Sequence, residues 1–426
     1  MKKLLAMLLV AATLLTFSAT FAEEENYEGR MVTVAIASTE LNDAYQAEID
    51  AFCAKYGCKA DVEILSSDPD EANNTLYLRA ATGNLPDVFK TSIGALANNL
   101  DPANNLVELT DYDFMNNVAD AFIAAASDSE GRVYATPTNT ANVAGVFYNK
   151  NVFADLGLEI PETWADFLSV CQWIKENTDM VPVCNPYDGA AGKQITYLAQ
   201  YFYINAENPE FAAQYTAQEI DLHESPALMR GLQKVYDMFE QDIQNEDPLS
   251  TSLEDAALAL CEGTAAFVIC RTNIMTNVET VAPESYNDIG FFPLPDENAE
   301  TRGVAVWMPQ GWHVSKTSED LELALKLVEF LTTSEATDAY CSACIPTGAF
   351  MLKGIELPDN VSEAVKEAQD WVSKSSTPVM EYVCAIKGAN LPNILAMCGT
   401  GELTPDEAVE QIEADFRLNA EQNGIW

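Results

Sequence analysis

Apolar and polar positions change their period repeatedly along this chain. Met31-Val32-Thr33-Val34-Ala35-Ile36 is a short β-branched run suited to a buried strand. Leu41, Tyr45, Ile49 and Phe52 follow at spacings of four, four and three, one face of a helix that ends at Gly57. Val62-Glu63-Ile64-Leu65 reads as a second strand, Ala72 to Ala81 as a helix ending near Gly83-Asn84, and Asp87-Val88-Phe89 as the start of a third strand. Strand and helix in strict alternation predict a parallel α/β layer with helices on its faces.

The alternation restarts further on. Thr163-x-x-Asp166 has the form of a capping box, with Trp164, Phe167, Leu168, Cys171 and Ile174 as the buried face behind it. Ala265 to Ile269 is an apolar strand after a helix ending at Glu262-Gly263, and Ile289-Gly290-Phe291-Phe292 is a strand stopped by Pro293 and Pro295. A helix carrying Leu321, Leu325, Val328 and Leu331 follows, and a last one opens at Thr404-Pro405-Asp406-Glu407, with Thr as cap and Pro in the first turn. No repeat, low-complexity tract or long linker separates the two halves. Two α/β lobes without a linker imply a chain that crosses between them more than once.

The N-terminus adds a compartment. Lys2 and Lys3 precede the apolar run Leu4 to Phe17, and Thr20-Phe21-Ala22 places small side chains before a cut, so 1–22 is expected to be a signal peptide. That run has about 14 residues, short of the roughly 20 that span a bilayer. Glu23 follows the expected cut and the first cysteine is Cys53, so no lipid anchor is expected and the protein should be secreted. Net charge is −44, or −46 once Lys2 and Lys3 are removed, which opposes binding to nucleic acid or anionic lipid and favours solubility. Ten cysteines, all beyond residue 22, are expected to form disulfides in an exported chain. Cys53 and Cys58 flank a helix end, and Cys171 and Cys184 flank a helix-to-strand turn. Cys341-x-x-Cys344 leaves open a tight bridge, a redox pair or half a metal site. Cys261 and Cys270 lie too far apart along a strand to bridge.

Several segments resemble bacterial extracellular solute-binding proteins of family 1. Ala81-Thr82-Gly83-Asn84-Leu85-Pro86-Asp87-Val88-Phe89 is similar to that family's small-x-Gly-x-x-Pro-Asp-Val segment. Gly131-Arg132-Val133-Tyr134-Ala135-Thr136-Pro137 resembles its Gly-Lys-x-Tyr-x-x-Pro step. Phe147-Tyr148-Asn149-Lys150-Asn151-Val152-Phe153, Gly157-Leu158 and Pro161-Glu162-Thr163-Trp164-Ala165-Asp166-Phe167 follow in the family's order. Glu262 to Phe267, Ile289 to Pro295 and Gly401 to Ala408 complete the series. Each is turn and cap chemistry; their order over nearly the whole chain carries the resemblance. It implies a type II periplasmic-binding fold, two α/β lobes joined by hinge crossings around a ligand cleft. By this likeness 23–140 and 275–310 form the first lobe, and 141–274 and 311–426 the second. It also implies the binding subunit of an ABC importer, acting with a membrane permease.

A sugar site needs flat apolar faces for ring C–H groups and planar polar groups for hydroxyls, at the C-terminal ends of strands. The candidates are Glu40 after the first strand, Ser92 after the third, Asn139 at the first crossing, and Tyr187 and Tyr197 in the second lobe. Arg271 and Asn273 follow the strand ending at Ile269, Trp307 and Trp312 lie near a later crossing, and Tyr382 sits in a late segment where the family often has an aromatic. For Trp307, Trp312 and Tyr197, core packing competes with ligand contact. Arg271 stands where the family commonly places an aromatic, which admits an acidic or modified sugar held by a bidentate guanidinium. No cofactor or metal is expected. His223 and His313, the only histidines, have no metal-ligand spacing, and no nucleophile-elbow or phosphate-loop motif occurs, so an enzyme is not expected. A polyamine or other small polar solute as ligand, a sensor role on a receptor kinase and, behind these, a secreted glycoside-active enzyme using paired carboxylates stand as the alternatives to sugar import, and the chain is expected to act as a monomer.

Overall fold

The computed structural model of the chain describes residues 26–38, 42–138, 140–384 and 386–426. The expected signal peptide therefore lies outside the described residues. The strands are β1 (Met31–Ala37), β2 (Lys59–Leu65), β3 (Val88–Thr91), β4 (Thr136–Pro137), β5 (Thr140–Asn149) and β6 (Val181–Val183). They continue as β7 (Ala265–Arg271), β8 (Ile289–Phe292), β9 (Val304–Trp307), β10 (Gly311–Val314), β11 (Ala349–Phe350) and β12 (Ser376–Pro378).

Local signals place most helices where the pattern predicts. Asn42 caps helix Asp43–Tyr56 by accepting from the Ala44 and Tyr45 amides, and Gly57 ends it at a φ of 69°. That helix buries Tyr45, Ile49 and Phe52 against the first sheet. Thr163 and Asp166 form the expected capping box on helix Trp164–Asn177, which buries Trp164, Phe167, Cys171 and Ile174. Each such fully buried large side chain contributes about 1.5–3 kcal/mol. Thr404 and Glu407 form another box on helix Pro405–Gln422.

Two sheets result. In the first, the order is β2-β1-β3-β10-β4, with β1 parallel to β2 and β3, and β10 antiparallel to β3 and β4. In the second, the order is β12-β9-β5-β7-β6, with β8 and β11 also paired to β5. Asp87 of the Pro-Asp-Val segment pins the first sheet. Its carboxylate accepts from the Thr33 amide at 2.8 Å, the Thr33 hydroxyl at 2.7 Å and the Ser318 hydroxyl at 2.6 Å. Burial opposes its ionisation, but these bonds outweigh burial and hold the carboxyl below its ordinary value.

Strand pairing corrects the expected lobe boundaries. β8 and β9 fall within 275–310 yet pair with β5, so that stretch belongs to the second sheet. β10 lies between β3 and β4 of the first sheet, and helix Ser334–Ala343 packs on helix Asp43–Tyr56, with Tyr340 6.0 Å from Tyr45. Sheet membership thus groups β1 to β4 with β10, and β5 to β9 with β11 and β12. The crossings run from β4 to β5, from β9 to β10, and from helix Ser334–Ala343 to β11. An apolar run such as Val304-Ala305-Val306 specifies a strand but not its partner, which is why its sheet was misassigned.

The structure holds no disulfide: all ten cysteines are free thiols. Cys171 packs with Phe167 on one face of the second sheet while Cys184 packs with Val268 on the other, so the sheet separates them. Cys53 and Cys58 do meet, joined by a thiol hydrogen bond, and burial pushes both thiols up.

A buried ionic knot braces the second lobe. Lys234, on helix Pro226–Glu240, lies 2.9 Å from Asp296 and donates to the Pro295 carbonyl at 2.6 Å and to Gln200 Oε1 at 2.7 Å. Arg230 on the same helix reaches Asp296 at 2.8 Å, and the Asp296 carbonyl accepts from the Trp164 amide at 2.8 Å. The segment between β8 and β9 is thereby tied to two helices.

Candidate functional site

The crossings bring the ends of β5, β7 and β9 together. Register places Arg271 opposite Ala144 and Trp307 opposite Asn142. Side chains alternate across a sheet. Ala144 and Ile269 pack with Ile195 and Ala199 of helix Ala190–Ala199, so Asn142 and Arg271 share that helix's face. Trp307, half-buried, packs beside the same cluster. The Arg271 guanidinium carbon lies 5.5 Å from the centre of the Trp307 ring, within cation–π range.

Tyr382 closes one side. Its hydroxyl donates to the Met308 carbonyl at 3.0 Å, which anchors the 3-10 turn Met380–Tyr382 to the crossing after β9. Burial pushes the Tyr382 phenol up and, as the largest effect on Arg271, pulls its guanidinium down, while Glu381 and Tyr382 act on it electrostatically. Glu381 itself is ion-paired with Lys387. Across the cleft, Gly94 sits so close that a Cβ there would lie 2.8 Å from the Tyr382 carbonyl and 2.1 Å from that of Ala125. Its φ of +58° is the left-handed conformation that glycine adopts without penalty.

The candidate residues divide. Arg271, Trp307 and Tyr382 are brought together; Asn273, half-buried, stands at the start of helix Ile274–Val281, two residues beyond Arg271, without a side-chain capping bond. Ser92 lies on the facing lobe, half-buried, its carbonyl 3.0 Å from His313 Nε2. His313 Nδ1 is 2.9 Å from the Tyr134 carbonyl and the ring stacks on Phe89, so the histidine braces the crossing strands. Burial pulls its pKa to about 4, against the pull of those carbonyls, which leaves it neutral near pH 7. Glu40 and Asn139 lie outside the described residues.

Three candidates are corrected to packing positions. Trp312 is 1% exposed, edge-on to Tyr45 at 5.8 Å inside the first lobe. Tyr187 is 2% exposed and packs so closely on Gly399 that a Cβ there would lie 2.9 Å from its ring. Tyr197 is buried with Tyr215 and Phe416. An aromatic near a crossing looks alike in sequence whether it points into the cleft or the core. Asn142 and Glu381 were missed for the opposite reason: only pairing and turn geometry place them beside Trp307 and Arg271.

A groove of about 490 Å³, lined by Asp120, Phe350, Lys353, Gln369 and Ser373, lies elsewhere on the molecule. Neither a tryptophan nor an arginine is among its lining residues, and Lys353 there is paired to Asp120 at 2.7 Å. Among the described residues, no group of three or more His, Cys, Asp or Glu side chains has the geometry to hold a metal ion.

Known proteins share this organisation. The chain is 24% identical over 288 residues to the multiple sugar-binding protein of Streptococcus mutans, a match spanning 65% of each. That is a little under two thirds of the relative's length. It is 21% identical over 388 residues to the putative ABC transporter periplasmic-binding protein YcjN of Escherichia coli K12, covering 89% of this chain and 84% of the other. Apo RafE from Streptococcus pneumoniae superposes with a TM-score of 0.76 at 18% identity, over 91% of this chain and 97% of that one. RafE in complex with raffinose superposes at 0.66, also at 18% identity, over 91% and 99%. These likenesses establish the fold as that of periplasmic sugar-binding proteins. Residues 38–338 match the family described as bacterial extracellular solute-binding protein. With two sheets, three crossings and a polar-aromatic group at their junction, the chain belongs to that family.

Proposed function

We propose that this chain captures a sugar or oligosaccharide between its lobes and delivers it to an ABC permease in the membrane. The observation carrying this reading is the Arg271–Trp307–Tyr382 group at the junction of the sheets, where an indole face and a guanidinium stand together. The names of its relatives support a carbohydrate, and family membership implies an extracellular or periplasmic location. The better superposition on apo RafE than on its raffinose complex supports lobes arranged as in the former, with closure to follow on binding.

Thermal unfolding with a panel of oligosaccharides and polyamines tests this. A sugar at 100 times its Kd should stabilise the protein by about 2.7 kcal/mol. X-ray scattering should show a smaller radius of gyration in its presence. Stabilisation by a polyamine and by no sugar would overturn the carbohydrate reading, and an unchanged radius with ligand bound would overturn closure. Export through cleavage after Ala22 belongs to the same proposal. The intact mass of protein recovered outside the cytoplasm should correspond to a chain starting at Glu23; a mass retaining Lys2 and Lys3 refutes it.

A further inference from the structure

Among the described residues at the cleft, Arg271 is a charge without an ion pair. Glu381, beside it, is engaged by Lys387. Arg30, Arg79, Arg132, Arg230 and Arg302 all pair with carboxylates. Arg271 alone among these is half-buried with no hydrogen bond and no ion pair to any described residue, its one close partner being the Trp307 ring. A guanidinium carries five N–H donors in a fixed fork, and burying it without acceptors is costly. A second polar group on this side is also unmet: Gln194, on the helix that covers the Arg271 face, has a buried amide oxygen without a donor.

We propose that the ligand is an acidic saccharide whose carboxylate is held by Arg271 in a two-point, fork-to-fork contact while a sugar ring lies on Trp307. This rests on the carbohydrate reading and narrows it. The fork matches two carboxylate oxygens, and a lone hydroxyl would leave most of its donors unmet. Trp307, its ring centre 5.5 Å from the guanidinium carbon and half-buried, is placed to contact sugar ring C–H groups beside the fork. The large negative charge of the chain does not prevent this, because at physiological ionic strength exposed charges more than about 8 Å away are largely screened.

Calorimetric titration with a galacturonate or glucuronate oligosaccharide, its methyl ester, the neutral parent sugar and a simple dicarboxylate decides the matter. The acid should bind about 10- to 100-fold tighter than its ester, the range expected for charge-assisted hydrogen bonds. Arg271→Gln should erase that ratio while leaving the melting temperature near the parent's, and Arg271→Lys should restore only part of it. Equal or tighter binding of the ester or the neutral sugar overturns the acidic class but leaves the carbohydrate reading standing. Binding of the dicarboxylate with no saccharide bound overturns both. An acid preference that survives in Arg271→Gln, with the fold intact by circular dichroism, overturns the role of Arg271.

Discussion

Asp296→Ala should lower unfolding stability at pH 6 by about 3–5 kcal/mol, the cost of breaking a buried ion pair from one side. Asp296 is 3% exposed, and its removal leaves Lys234, 1% exposed, without the carboxylate 2.9 Å away. The pH dependence has a definite sign. Burial alone would raise the Asp296 carboxyl, but Arg230 and Lys234 outweigh it and hold the carboxyl below its ordinary value. Its contribution is therefore present above the unfolded pKa and is lost as pH falls through the folded one. Lys234 moves the other way: burial pulls it down to about 8 in spite of Asp296. Without the carboxylate it sheds its proton at lower pH still, so the penalty should shrink as pH rises toward about 8. Denaturant titrations of both proteins from pH 3 to 9 measure this. A flat difference across that range would show that the knot is not electrostatic. Lys234→Met added to Asp296→Ala should recover much of the loss, because no buried ammonium is then left unpaired.

Gly94→Ala should be the most damaging single methyl group near the cleft. Two carbonyls, one on each lobe, would lie 2.1 and 2.8 Å from the new Cβ, inside van der Waals contact. Overpacking costs about 1–3 kcal/mol and the left-handed backbone about 1–2 more. The turn carrying Glu381 and Tyr382 must then shift, and with it the surroundings of Arg271, so ligand affinity should fall at least tenfold. Gly83→Ala is the control. Gly83 has a similar φ of +69° but nothing within 4 Å of its Cβ, so only the backbone cost applies. Equal loss of stability and affinity in both variants would remove the inter-lobe contact from the explanation.

Legibility in the sequence followed the range of each interaction. Caps and stops were readable because they act within a turn: Thr163 with Asp166, Thr404 with Glu407, and Gly57 and Gly263 at helix ends all stand as the pattern predicts. The motif order was readable for the same reason, since each motif is local turn chemistry. Asp87 shows the limit. It reads as part of a Pro-Asp-Val segment, yet its work is to join Thr33 to Ser318, 285 residues further along the chain than Thr33. Arg271 and Trp307 were each legible as candidates, while their 5.5 Å pairing was not.

By itself, then, the sequence determined the element types, the two-lobed α/β class and the family, because period, capping and turn residues are local properties. Tertiary structure alone decided which strands share a sheet. It also decided which aromatics face the cleft: Trp312, Tyr187 and Tyr197 went to the core, and Trp307 to the junction. Those outcomes depend on register and on the face a residue presents, and a shift of one position along a strand reverses them. The same dependence kept Cys171 from Cys184, since a sheet separates them however near they stand in the chain.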